Sequence, residues 1–200
     1  MQELPTDLPA DLAPLSWLIG VWEGTGVIDY QVGDHRFAGE FTHRVSFSHD
    51  GGPYLNYAAT AWTAADAGCA STQLVAESGF WRLQRPAADT DAGPALLPPR
   101  EAGPERTVHD VEELRTDDGF ALEVSLAHAD GMLELYLGTI DGPRIDIATD
   151  AIVRGPGSKE YAAGSRMYGL VDGHLLWAWD IAALGFELGA HASARLAKAD

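Results

Sequence analysis

Histidine is the residue type in this sequence best suited to chemistry near neutral pH, and the chain has 7 of them. His191 stands apart because small residues surround it across positions 188–196. Alternation along a strand would place Ala192, Ala194 and Leu196 on one face, and His191 would then point to the other. That conflict disappears if His191 lies at the junction of loop and strand, on a barrel rim, where a flat ligand could reach its imidazole. A simple surface histidine is the alternative interpretation.

The other histidines have structural explanations. His43 and His49 share the apolar face of a predicted strand, as an interior histidine and a turn cap, and His128 precedes an Ala-Asp-Gly turn that it could cap. His35, His109 and His174 are expected to be exposed. The sequence contains no His-x-x-x-His or His-Glu-x-x-His motif and no local His/carboxylate cluster, which disfavours a metal site made only of protein ligands. Nucleophilic catalysis is disfavoured too, because Gly-x-Ser-x-Gly is absent.

The first predicted strand has an unusual inner face. Gly20, Trp22, Gly24 and Gly26 alternate along it and therefore point to the same side. Glycine weakens a strand interior, so repeated glycines indicate a sharp bend or the close approach of a ligand or another backbone. A single indole on a strand face that otherwise consists of three glycines predicts that this tryptophan plugs one end of a closed sheet, with space beyond it.

The pattern of the remaining sequence predicts a succession of strands. Positions 36–49 alternate apolar and polar residues, a turn follows, and further strands are predicted at 72–85, 120–128, 131–140, 143–153, 159–170, 174–182 and 191–197. Leu12, Leu15 and Leu18 are spaced for one face of a short N-terminal helix. We therefore predict an all-β protein, a closed antiparallel β-barrel of about ten strands of the lipocalin or fatty-acid-binding type, with an internal cavity.

The domain organisation is simple. Residues 1–10 are expected to form a flexible arm, and residues 11–200 a single β-barrel domain. A Pro/Ala-rich segment at about 86–107 lacks periodicity and is predicted to be an exposed loop. Residues 108–115 are either an extra strand or part of that loop.

Composition excludes several classes of protein. The net charge of −17 opposes binding to nucleic acid or to an anionic membrane. Cys69 is the only cysteine, so neither an internal disulfide nor a thiolate zinc site can form. No signal peptide or membrane-spanning run is apparent, and we expect a cytoplasmic protein. Oligomeric state is left open, with a homodimer as one alternative.

The motifs, taken together, resemble those of the nitrobindin family of haem proteins. The Gly-x-Trp-x-Gly-x-Gly signature spans positions 20–26, and the likeness continues at 47–52, 77–82 and 126–128. It is densest over 148–196. Two departures from the main nitrobindin branch place the chain closer to a second, actinobacterial-type branch. Residues 30–33 replace the Tyr-Pro-Thr-Ile segment of the main branch, and Val75 replaces a histidine that is frequent there.

The resemblance implies a ten-stranded barrel that holds haem b (iron) near its mouth. It implies His191 as the axial iron ligand and catalytic residue, and Lys159 as a contact to a haem propionate. The glycine–tryptophan motif would shape the apolar haem pocket. The implied activity is isomerisation of peroxynitrite to nitrate, with nitric oxide as a further ligand of the iron.

Two other functions remain as alternatives. A haem-free carrier of a fatty acid or other small apolar ligand would need an inward-facing arginine to meet the carboxylate. Arg44, Arg82, Arg144 and Arg166 are available, but alternation does not place any of them inside. A barrel that serves only as a structural or interaction domain would bind neither ligand.

Overall fold

A computed structural model describes residues 8–64, 71–101, 103 and 106–199, and of residues 32 and 35 the backbone only. Residues 1–7 of the predicted arm lie outside the described residues. The ten strands in chain order are β1 (Gly20–Val32), β2 (His35–Ser48), β3 (Leu55–Thr63), β4 (Gln73–Leu83), β5 (Phe120–His128), β6 (Met132–Asp141), β7 (Arg144–Arg154), β8 (Tyr161–Val171), β9 (His174–Ala183) and β10 (Gly189–Lys198).

These strands close into a single barrel in which every strand is antiparallel to its two neighbours. Each strand pairs with the next in the chain, and β1 pairs with β10 to complete the ring. The predicted fold class is therefore confirmed. Alternation is its physical basis: Phe41, Val45 and Phe47 of β2 are buried, whereas the intervening Thr42 and Arg44 are exposed.

Turn chemistry fixes the register between neighbouring strands. Asp172 and Gly173 both have positive φ, at 50° and 73°, and join β8 to β9 with Val171 opposite His174. A two-residue hairpin with left-handed conformation at both positions matches the strand twist, and Asp-Gly tolerates that conformation. The strands therefore run alternately up and down the barrel.

A 3-10 helix, Ala10–Leu18, closes the lower end of the barrel, where β1 begins. Leu12, Leu15 and Leu18 are fully buried, because a three-residue repeat places them on one side of a 3-10 helix. Trp22 is 2% exposed, and its Nε1 donates to the carbonyl of Leu18 at 2.7 Å. The indole thus plugs the lower end, as its position among the glycines predicted.

The segment between β4 and β5 contains a short helix, α1 (Val108–Glu112). Of the two alternatives for residues 108–115, an extra strand or part of the preceding loop, the extra strand is therefore wrong. Thr107 and Asp110 form a reciprocal capping box, and these side-chain bonds favour a helical start over a strand. Val111 is buried against the barrel core. Within the described ranges, no helix is long and apolar enough to cross a membrane.

Candidate functional site

A cavity of about 270 Å³ occupies the upper half of the barrel, at the end where β1 stops and β10 starts. It reaches the surface beside Leu74, which is 44% exposed. Most of its wall is apolar or aromatic, and four of its side chains are histidine, glutamate or arginine: His43, Glu77, Arg166 and His191. The apolar and aromatic members are Ile28, Phe41, Tyr57, Ala61, Leu74, Val75, Tyr168, Trp177, Trp179 and Ala192.

A β-bulge brings His191 into the cavity. In the pairing of β10 with β9, Ala190 lies opposite Asp180 and Ala192 opposite Trp179, so His191 is the extra residue between them. A bulge interrupts strict alternation and re-aims a side chain. His191 and Ala192 therefore both line the cavity although they are adjacent in the sequence. His191 lies within the strand near the rim, and the bulge resolves the conflict that alternation posed.

The imidazole of His191 is held by aromatic edges rather than by hydrogen bonds. The rings of Tyr30 and Trp179 lie nearly perpendicular to it, with centroids 5.0 and 5.6 Å away. Its Nδ1 is buried and has no hydrogen-bond partner. Burial lowers the pKa of His191, which favours a neutral ring. Because Nδ1 is buried, Nε2 is the nitrogen that a ligand in the cavity could reach.

The glycine motif supports the cavity from below. A Cβ on Gly24 would overlap the carbonyl oxygen of Arg195, and one on Gly26 would overlap the ring of Phe41 and the backbone of β10. These glycines therefore permit close approach of β1 to β10 and let Phe41, a lining residue, pack across the interior. Gly20, Trp22, Gly24 and Gly26 are not among the described residues that line the cavity. Their contact with a cofactor stays a prediction.

His43 and Trp177 form the floor of the cavity. The indole Nε1 of Trp177 donates to Nδ1 of His43 at 2.8 Å, across the barrel interior from β9 to β2. Burial lowers the pKa of His43 to about 4, against an opposing effect of Glu77. His43 is thus a neutral interior histidine at physiological pH, as predicted, with one nitrogen engaged by the indole.

Arg166 is the inward-facing arginine that the sequence did not reveal. Its side chain is 3% exposed, and its two terminal nitrogens contact the two carboxylate oxygens of Glu77 at 2.7 and 2.9 Å. Glu134 lies 3.4 Å away, and Tyr136 accepts from Nε at 3.1 Å. The guanidinium also stacks over the ring of Trp179, 4.1 Å from its centroid. Protein partners therefore accept hydrogen bonds from four of the five N–H groups of the guanidinium.

His128 belongs to the same buried network, so the expectation that it caps a turn is wrong. Its Nε2 lies 2.6 Å from Glu134 and 3.5 Å from Glu77, with only 5% of the side chain exposed. Glu77, His128 and Glu134 have the spacing of a metal-binding cluster, contrary to the expectation that no His/carboxylate cluster exists. The sequence could not show it, because the three residues lie on β4, β5 and β6.

The charges in this network offset one another. Burial alone would raise the pKa of Glu77, but the charge and hydrogen bonds of Arg166 outweigh it and lower that pKa to about 2. The pKa of Glu134 is also lowered, since His128 and Arg166 outweigh its burial. Arg166 contacts both carboxylates and supplies a positive charge that offsets theirs. The cluster therefore acts as a structural ion-pair network.

Lys159 lies in the turn between β7 and β8, at the same end of the barrel as His191. Its side chain is exposed, and its carbonyl accepts a hydrogen bond from Arg154 at 3.1 Å. Lys159 is not among the described residues that line the cavity. The structure thus brings Lys159 to the rim and His191 into the cavity.

Comparison with known proteins agrees with this architecture. A family model described as "THAP4-like, heme-binding beta-barrel domain" matches residues 11–198. A protein of Leifsonia xyli subsp. xyli, named peroxynitrite isomerase, is 58% identical over 201 residues, covering 100% of both chains. A protein of the same name from Clavibacter michiganensis subsp. michiganensis is 54% identical, also over 100% of both.

A solved structure supports the fold alone. The crystal structure of Rv2717c from M. tuberculosis has a TM-score of 0.66 to this chain at 24% identity, and the match covers 99% of this chain and 100% of the other.

Proposed function

The chain belongs to the THAP4-like haem-binding β-barrel family, and from that premise we propose that it binds haem b through His191 and isomerises peroxynitrite to nitrate. The observation that carries the proposal is the neutral imidazole of His191, turned into an apolar cavity by a bulge and free of protein hydrogen bonds at its buried Nδ1. Neutral imidazole is a common haem ligand. Relatives named peroxynitrite isomerase match along their whole length.

The residues of the cavity fit a haem group. Ile28, Leu74 and Val75 offer an apolar surface to a macrocycle, and His191 offers a nitrogen ligand near the rim. A group bound there would have one edge at the barrel mouth, where the acidic side chains of the group need water or a cation. We include Lys159 in the proposal as that cation, since its exposed ammonium lies in a turn at the same end.

The glycine–tryptophan motif enters the proposal indirectly. Gly26 leaves the space in which Phe41 packs, and Phe41 lines the cavity. Gly20, Trp22 and Gly24 would hold the lower barrel closed beneath a bound cofactor. Their proposed role is to support the pocket from beneath its floor.

The proposed chemistry needs no further reagent, because peroxynitrite and nitrate contain the same atoms. Haem iron bound there would supply a Lewis acid. The chain holds the imidazole of His191 in its neutral form, excludes water with an apolar wall, and orients the anion against the floor residues. Nitric oxide as a second ligand, a cytoplasmic location and a homodimer are further parts of the proposal.

The alternative of a fatty-acid carrier lacks its anchoring group among the described residues. Arg166 is inside, but Glu77 and Glu134 already neutralise its guanidinium. Arg44, Arg82 and Arg144 are exposed and pair with Glu23, Glu123 and Asp146. A carboxylate entering the cavity would therefore find the charge of Arg166 already neutralised by its protein partners.

The proposal is tested by rapid-mixing kinetics of peroxynitrite decay, with nitrate and nitrite quantified at the end. We expect the haem-loaded protein to accelerate decay and to raise the share of nitrate, and His191→Ala to lose most of that acceleration. His109→Ala is the matched control, because His109 is 85% exposed on α1. Equal rates in His191→Ala and the control would overturn the assignment.

A further inference from the structure

The hydrogen bond between Trp177 and His43 fixes which nitrogen of His43 carries a proton. An indole N–H can only donate, so Nδ1 of His43, 2.8 Å from Trp177 Nε1, must accept. A neutral imidazole that accepts at one nitrogen carries its proton on the other. His43 therefore holds its proton on Nε2.

His43 is neutral because it is buried. Its desolvation lowers the pKa to about 4, while Glu77 raises it and Arg166 lowers it. These two charged groups pair with each other, so their effects on His43 oppose one another. At neutral pH the Nε2–H group is consequently a hydrogen-bond donor and not an acid.

The Nε2–H group has no acceptor within the described part of the chain. The bond from Trp177 is the one hydrogen bond recorded for His43, which is only 7% exposed and lines the cavity. The residues beside it on the neighbouring strands, Ala61 of β3 and Val75 of β4, have side chains that cannot accept a hydrogen bond. Because His43 lines the cavity, its Nε2–H group is a donor that a ligand oxygen or nitrogen held there would satisfy.

We propose that His43 is a ligand-binding residue that donates a hydrogen bond from Nε2 to a small anion held in the cavity, and that Trp177 is the positioning residue that keeps this tautomer. The proposal rests on the proposed function in two respects, because it names peroxynitrite as that anion and takes bound haem as the group beside which the anion is held. A neutral donor selects ligands that accept hydrogen bonds, and it therefore favours an oxyanion over a weak acceptor such as nitric oxide.

The tautomer is measured first, on the protein without added haem. Long-range ¹H–¹⁵N correlation spectra at pH 7 should show His43 protonated at Nε2 and unprotonated at Nδ1. Trp177→Phe removes the indole donor and should give a mixture of tautomers. Protonation at Nδ1 in the unsubstituted protein would overturn the proposal.

Ligand binding is measured next, by spectral titration of the haem-loaded ferric protein with azide, an anion that accepts hydrogen bonds. His43→Leu should weaken azide binding by roughly tenfold, the loss of one hydrogen bond. His43→Gln should restore affinity to within about threefold, because its amide can accept from Trp177 and donate into the cavity. Nitric oxide affinity should stay the same in all three proteins.

The two readouts separate a binding role from a structural one. Parallel losses of azide and nitric oxide affinity in His43→Leu, or equal azide affinity in every variant, would overturn the proposal. Should His43→Leu fail to fold, the comparison of Trp177→Phe with the unsubstituted protein takes its place, with weaker azide binding as the expected result and equal binding as the contrary one. A protein whose azide affinity depends on His43 but which does not isomerise peroxynitrite would refute the proposed function and leave this inference standing.

Discussion

Arg166 shows how a charge can be buried in a barrel interior. Its guanidinium meets Glu77 through two contacts, approaches Glu134 and donates to Tyr136. Burying an unpaired ion is far more costly than burying a paired one, so each member of this network depends on the others. The network also restrains Trp179, which packs between Arg166 and His191.

Removing Arg166 should therefore be strongly destabilising. We expect Arg166→Leu to lower the free energy of unfolding by about 3–5 kcal/mol, because two carboxylates lose their cation in the interior. Arg144→Leu is the matched control, since its pair with Asp146 is 66% and 49% exposed and should contribute less than about 1 kcal/mol. Urea denaturation measures both values, and equal losses would contradict a structural role for the buried network.

At the scale of the strand, close contact between β1 and β10 explains Gly24 and Gly26 of the glycine–tryptophan motif. The carbonyl oxygen of Arg195 occupies the place that a side chain at position 24 would need. Backbone atoms cannot move aside as a flexible side chain can. The motif is thus required by the closure of the barrel as well as by the packing beneath the cavity.

Substitution of two glycines tests that explanation. Gly24→Ala should lower the free energy of unfolding by about 1–3 kcal/mol through overpacking at the seam. Gly39→Ala on β2, where nothing lies within 4 Å of the added carbon, should leave stability unchanged or raise it by up to about 1 kcal/mol. Thermal or urea unfolding gives both values, and a neutral Gly24→Ala would refute the close approach.

The strands were predictable because each carries its own alternating pattern. The bulge that turns His191 into the cavity was not predictable. The alternation over 191–197 correctly predicts the inward face that carries Ala192, Ala194 and Leu196. The bulge inserts one residue relative to β9 and interrupts this alternation at His191. Whether a bulge occurs depends on the partner strand, which a local pattern does not contain. The helix α1 was missed for a similar reason, since its capping box spans only four residues within a segment rich in proline.

At the scale of the whole molecule, the number of strands, the turns and the glycine motif were sufficient to predict the closed barrel. They were not sufficient to predict the charge network in its interior. Glu77, His128 and Arg166 are separated by tens of residues, and only the antiparallel winding brings them together. Arg166 alternates in phase with the buried Tyr168, which was the one local sign that it faces inward. Long-range pairing of charges is a property of the barrel and not of any segment.

The barrel as a whole is closed by Trp22 and the 3-10 helix at one end and opens into a cavity at the other, with His191 at the rim. Haem titration of the purified apo-protein, beside His191→Ala and His109→Ala, tests the central claim most directly. We predict a Soret band that saturates at one haem per chain in the unsubstituted protein and in His109→Ala, and that is lost or shifted in His191→Ala. An identical Soret band in all three proteins would contradict the assignment of His191 as the iron ligand.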